Sequence, residues 1–180
     1  MPHKVRLILI GLVFMSFQLY ATEPATGPVI ENFGPAFTLP EGTFNLLPDQ
    51  EYKILMDIGE GPDDPAALNR NIETAARFLN MHSRNGIKPE NLKLAIVLHG
   101  SATKSALNDE AQAKIFDVPN GNKDLLKALG LAGVQIYVCG QSAYHHGYGV
   151  EDLLSEATMA VSAMTAHVRL QQDGYQAILF

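Results

Sequence analysis

The sequence predicts a single three-layer α/β domain with a mainly parallel sheet of about five strands. Three observations predict it. Short apolar runs recur along the chain, segments with helical periodicity separate them, and glycine, asparagine or proline marks most of the junctions. Strands alternating with helices at this spacing imply right-handed crossovers and helices on both faces of the sheet.

The alternation begins at Tyr52. Residues Tyr52 to Ile58 (YKILMDI) read as a first strand, and Gly59 to Pro65 as a turn rich in acids and proline. Leu68, Ile72, Ala75 and Leu79 then recur at helical spacing until Asn85-Gly86 supplies a stop. Leu92 to Leu98 (LKLAIVL) is nearly continuous in apolar residues, as expected of a strand covered on both faces, and it ends in His99-Gly100. Asn108 is placed to cap a short helix through Phe116, and Asp124 to Leu131 forms another, ending near Gly133. Val134 to Val138 (VQIYV) is the third strand and runs into Cys139. A weaker pattern follows: a small helix at Glu151 to Leu154, a short strand at Met159 to Val161, a helix from Thr165 to Gln172 and a last strand from Tyr175 to Leu179. No internal repeat is present.

The first twenty-one residues are a different kind of sequence. His3, Lys4 and Arg6 stand at the head of an apolar run from Val5 to Phe17, which is shorter than the roughly 20 residues a membrane-spanning helix needs. With the small Ala21 as a cleavage position, the segment reads as a secretory signal peptide, residues 1–21, and predicts a periplasmic or secreted chain without stable membrane insertion after processing. Loss of Lys4 and Arg6 takes the formal charge from −6 to −8. Residues 22–50 hold Pro24, Pro28, Pro35, Pro40 and Pro48, which fix φ and remove backbone donors, so an extended arm is expected ahead of the domain at 51–180. Its Val29, Ile30, Phe33 and Phe37 are too apolar for a free linker; the arm lies across its own domain or reaches a neighbouring subunit.

Composition excludes several classes. Asp plus Glu (19) outnumber Lys plus Arg (13) and no basic cluster offers a phosphate-tracking surface, so a nucleic-acid partner is not expected. One cysteine permits no internal disulfide and no four-thiolate metal site. Gly59-Glu60-Gly61 lacks the third glycine of a dinucleotide loop, and Glu60, Asp63 and Asp64 would repel a pyrophosphate. There is no G-x-S-x-G elbow of a serine hydrolase. No cofactor is called for.

In an open α/β sheet ligands bind where strands end and loops turn into helices. Two strand ends are rich in chemistry here: His99-Gly100-Ser101-Ala102-Thr103, and Cys139-Gly140-Gln141-Ser142-Ala143 followed by Tyr144-His145-His146. A thiol at a strand-to-helix turn is open to activation by backbone N–H groups and a nearby imidazolium. Cys139 is the candidate nucleophile and His99 the candidate neighbour that tunes it, if the two strands are adjacent. Gly100, Ser101, Thr103, Gly140, Gln141 and Ser142 are candidates for holding a bound anion or persulfide, although such hydroxyls commonly only cap helices. A free cysteine is also among the most buried residue types, which leaves a purely packed Cys139 open. His145 and His146 with Cys139 suggest a copper or zinc site, but their spacing is not a ligand pattern and no metal site is assigned. His167 reads as structural or interfacial, and Met159 and Met164 as core packing.

The strand ending in Leu98-His99-Gly100, the run IYVCGQSA from Ile136 to Ala143 and the terminal AMTAHVRLQQDGYQAILF from Ala163 to Phe180 resemble the DsrE/DsrF-like family, in its exported branch. The resemblance covers roughly residues 27 to 180. It implies a DsrEFH-like α/β fold and association into trimers or hexamers. In sulfur-carrying members the cysteine at this strand end accepts sulfane sulfur as a persulfide and passes it to another thiol; Cys139 alone matches that position. The function expected is therefore binding or transfer of sulfane sulfur, a possible sulfurtransferase or sulfur carrier with thiol or persulfide donors and acceptors. The alternative is a non-catalytic oligomeric protein that binds a metal or small ligand.

Overall fold

The computed structural model describes residues 23–40 and 46–179. The signal-peptide expectation falls on residues 1–21, outside the described residues. The apolar runs form strands β1 (Tyr52–Ile58), β2 (Leu92–Leu98), β3 (Gln135–Cys139), β4 (Ala157–Ala160) and β5 (Gln176–Leu179), all parallel, in the order β4-β3-β2-β1-β5. The helices are α1 (Arg70–Arg84), α2 (Asp109–Phe116), α3 (Lys123–Leu131), α4 (Gly140–His145) and α5 (Ala163–Gln172), with a 3-10 segment at Gly100–Ala106. The strand predicted at Met159 to Val161 starts two residues earlier, at Ala157, and ends one earlier, at Ala160. Among the described residues no helix is long and apolar enough to cross a membrane.

Alternation along each strand sorts the side chains onto two faces. Met56, Ile58, Leu94, Ile96, Leu98, Ile136 and Val138 point to one face and pack with Ile72, Phe78 and Leu79 of α1 and with Leu125, Leu126 and Leu129 of α3. Each such leucine, removed from water, contributes about 1.5–3 kcal/mol. Leu55, Ala95, Val97 and Tyr137 point to the other face, where Ala166 and Leu170 of α5 and the neighbouring Tyr175 cover them. Helices cover both faces as predicted, but unequally. The chain moves stepwise from β1 to β4, then returns to the far edge as β5, and α5 makes that crossing alone over β2 and β3. A single helix is only ~10–12 Å across with its side chains, less than the ~19 Å between the outer strands of a five-stranded sheet. Part of this face therefore stays open.

Helix ends follow local chemistry. Asn69 accepts from the N–H groups of Asn71 and Ile72, Asn108 from that of Ala111, and Ser162 from that of Thr165, satisfying donors that the first helical turn leaves without partners.

The arm docks on its own chain. Buried Asn80 of α1 accepts from the backbone N–H groups of Val29 (3.1 Å) and Ile30 (2.8 Å), and its amide donates to the carbonyls of Ile30, Phe33 and Gly34. Arg77 donates to the Pro35 carbonyl and Arg84 to those of Gly27 and Thr26. Gly34 meets α1 where no Cβ fits: one placed there would stand 2.2 Å from the Arg77 nitrogen. The arm is thus a backbone loop clamped onto a helix, closed by paired hydrogen bonds between Ala25 and Ala36.

Candidate functional site

The two strand ends singled out in the sequence are neighbours. β2 and β3 pair with Leu98 opposite Val138, so His99 and Cys139 follow at adjacent strand ends, with the His99 ring lying against Gly59 and Asp57 on the β1 side. Alternation directs both toward the α5 face. Cys139 retains 5% of its surface and is the residue from which α4 starts.

Burial is the largest single influence on the Cys139 thiol and pushes its pKa up; the Ser142 hydroxyl and the N–H groups of Ser142, Ala163 and Gln141 together outweigh it and hold the thiol below its ordinary range. No regular capping bond closes on the sulfur, so these donors act as a local positive field rather than as a tight cap. The fold positions them simply. Gln141 and Ser142 lie in the first turn of α4, and Ala163 opens α5, where backbone donors have no intrahelical partner. Ser142 is fixed in turn because its Oγ accepts from the Gly100 N–H at 3.0 Å, which ties the two strand-end loops together.

Both glycines of this pair permit close approach. A Cβ at Gly140 would stand 2.8 Å from the Ala160 carbonyl oxygen, and one at Gly100, where φ is 51°, 2.7 Å from that of Gly59. The remaining candidates separate. Gln141 is exposed and its side-chain amide donates to the Val161 carbonyl at 3.3 Å. Ser101 is exposed, its Oγ accepting from the Gly61 N–H at 3.0 Å. Thr103 is fully buried and its hydroxyl donates to the Gly100 carbonyl, closing the turn from behind. His145 and His146 are exposed, their rings 5.2 Å apart edge to face, and His146 stacks on Tyr148. Among the described residues no group of three or more His, Cys, Asp or Glu side chains has the arrangement of a metal site.

Two residues escaped the reading of the sequence. Asp57, near the end of β1, places Oδ1 3.2 Å from His99 Nε2 and 2.7 Å from His167 Nε2. His167, read above as structural or interfacial, is turned inward from α5 onto this carboxylate, and its side chain is 20% exposed. The signal for Asp57 was present: a carboxylate inside an otherwise apolar strand requires partners. No comparable signal marks His167, one imidazole in an amphipathic helix. Beside the cysteine, Gly140, Tyr144, Val150 and Val161 line a shallow depression of about 350 Å³ with Met159 and Ala160 beneath it.

A five-stranded parallel sheet with helices on both faces, and a cysteine at the end of the third strand, defines an α/β protein of the parallel-sheet class. The family model of DsrE/DsrF-like proteins matches residues 53–180, and the chain belongs to that family. It is similar in fold to a protein of unknown function, MTH1491, from Methanobacterium thermoautotrophicum, with 18% identity, a TM-score of 0.55, and coverage of 72% of this chain and 100% of that one. It is also similar to the ychN protein from E. coli, with 16% identity, a TM-score of 0.53, and coverage of 72% and 99%. No curated protein sequence matches the chain.

Proposed function

We propose that this member of the family binds or transfers sulfane sulfur through a persulfide on Cys139, acting outside the cytoplasm as an oligomer. The observation that carries the reading is the ring of donors around a buried thiol: the Ser142 hydroxyl and three backbone N–H groups favour the thiolate, which is the nucleophilic form. In the loading step the Cys139 thiolate attacks the outer sulfur of a donor persulfide or polysulfide. The donor S–S bond breaks, its electron pair leaves with the donor thiolate, and a new S–S bond forms on Cys139. An acceptor thiolate then attacks the terminal sulfur and Cys139 departs as thiolate. Sulfur moves between thiols and no external oxidant is consumed.

Oligomerisation is supported by the apolar side chains that the outer side of α5 leaves exposed, Met164 and Val168, next to Val161. The compartment rests on the character of residues 1–21.

Intact-mass measurement after incubation with polysulfide tests the reading. The wild type should gain one sulfur and Cys139→Ala none; equal gain in both would overturn it. One observation favours the competing reading, a non-catalytic binding protein with a packed thiol: the 5% exposure of Cys139. Alkylation in the folded state slower than that of a free cysteine at neutral pH would decide for that alternative.

A further inference from the structure

We infer that Asp57 and His167 are positioning residues for Cys139: the contact between them seats α5 on the sheet so that the first backbone N–H of the helix, at Ala163, stays directed at the thiol sulfur. The inference rests on the reading of Cys139 as a nucleophile.

The helix has a small apolar footing. Ala166 and Leu170, with Ala163 at the margin, meet Leu55, Ala95 and Val97 of the sheet, whereas Met164 and Val168 of the same helix stay exposed. One specific polar contact adds to that footing. His167 Nε2 lies 2.7 Å from Asp57 Oδ1, with the imidazole 20% exposed and the carboxylate 22%. The carboxylate is braced from the sheet as well: the same Oδ1 lies 3.2 Å from Nε2 of His99, whose ring fills the space beside Gly59, where a Cβ would stand 2.8 Å from its Cε1. A carboxylate oxygen has two lone pairs and so accepts from both rings.

This latch and the thiol are joined by a single helical turn. Ala163 is the first residue of α5 and His167 the fifth, ~6 Å further along the axis. Helical side chains lean toward the amino end, so the imidazole holds the turn that carries Ala163. Pairing in the sheet brings that turn to the sulfur, because Ala160 of β4 lies opposite Cys139 and α5 begins at Ala163. Ser162 caps the helix by accepting from the Thr165 N–H, which leaves the Ala163 N–H for the sulfur as one of the donors that favour the thiolate. A helix released from Asp57 carries this donor away with it.

The other charged and titratable side chains of this face have their own partners or stand at its far end. Tyr137 donates its hydroxyl to Gln135, and Tyr175 accepts from the Gln135 amide. On α5 Arg169 pairs with Asp173; Lys53, paired with Glu51, and Lys93 stand at the amino-terminal ends of β1 and β2.

The test is the pH profile of Cys139 alkylation by iodoacetamide on the full chain, with circular dichroism to verify folding. There is one cysteine, so the rate reports a single site. His167→Ala should raise the midpoint by about half a unit, slowing the reaction near neutrality about threefold. His167→Gln keeps an N–H for Oδ1 without a titratable ring and should recover most of that loss; no recovery would mean that the ring acts by its charge, and would overturn the inference. Ala163→Pro deletes the donor itself. Proline suits the first helical position and Ser162 ahead of it is already extended, so this variant should fold. It should raise the midpoint at least as far as His167→Ala, and the double variant should go no further than Ala163→Pro alone, because both changes act through one N–H. An unmoved midpoint in Ala163→Pro, or additive shifts in the double variant, overturns the inference. Leu126→Ala weakens the opposite face and should leave the midpoint in place; a shift equal to that of His167→Ala would reduce the latch to general loosening and overturn it too. If His167→Ala fails to fold, Asp57→Ala replaces it. A raised midpoint there supports the latch, because loss of a nearby anion alone would lower it, and an unmoved or lowered one overturns it. Sulfur uptake is read separately: no mass gain in the wild type, together with raised midpoints in His167→Ala and Ala163→Pro, would refute the sulfur reading and leave the latch standing.

Discussion

The two faces of the sheet differ in what they are made of. Toward α1 and α3 strands β1 to β4 send leucine, isoleucine, valine or methionine, and the contact is a continuous hydrocarbon layer. Toward α5 the strands send Leu55, Ala95 and Val97 at the centre, but Asp57 and Tyr137 as well, with His99 and Cys139 following at the ends. The first face supplies most of the folding energy. The second carries the groups able to react, and one short helix leaves them partly within reach of water. Stability and chemistry are thereby separated by the thickness of one sheet, and substitutions on the two sides should have different consequences.

The largest effect is expected on the thick face. Leu126→Ala removes a fully buried side chain from between α3 and the sheet and should cost about 4 kcal/mol in denaturant unfolding. Leu170→Ala, in the smaller cluster under α5, should cost about 2 kcal/mol, at the lower end of the range for such truncations. Equal losses would break the contrast. Next comes the clamp behind the thick face. Asn80→Ala strips partners from five backbone groups of the arm and should cost about 2–3 kcal/mol, with limited proteolysis cutting within residues 23–40 before the domain unfolds.

On the thin face Cys139→Ala should change stability by less than about 1 kcal/mol while abolishing sulfur uptake. A smaller effect belongs to His82, which burial, against the opposing bond to the Phe78 carbonyl, holds below its ordinary pKa. The unfolded chain then binds the extra proton more readily than the folded one. Stability should therefore be complete above pH ~6.5 and decline as the pH falls through the depressed folded value. The decline should be shallower in His82→Phe, as read from melting temperature between pH 7.5 and 5. Smallest for the monomer is Met164→Lys. It should leave unfolding within about 0.5 kcal/mol of wild type, yet lower the oligomeric mass in sedimentation if the exposed side of α5 meets another copy.

Much of this division was legible in the chain. The continuous run LKLAIVL announces a strand covered on both sides, and the caps at Asn108 and the stop at Asn85-Gly86 come from chemistry local to a few residues. Cys139 and His99 were legible as strand ends, because a parallel sheet directs its loops to one edge. Four things were not. The pairing of β2 with β3 is a long-range fact, and so is the unequal cover of the two faces, which follows from the jump of the chain to β5. The Asp57–His167 contact joins residues 110 apart, and nothing in either neighbourhood encodes the other. The docking of the arm was unreadable for a related reason: its hydrogen bonds to Asn80 are made by backbone atoms, which every sequence possesses. Thr103 shows the converse. Its hydroxyl looked available in the sequence, and only the turn it closes reveals that it is occupied.

The clamp around Asn80 fixes which way the molecule is handed to its surroundings. Because residues 23–40 are fastened along α1, any tether, bead or fused protein attached ahead of Glu23 leaves from the side of the sheet opposite α5. Immobilisation through the amino end should therefore present the cysteine-bearing edge outward to whatever flows past, whereas a linker at the carboxyl end, beside β5, would share that side and stand in its path.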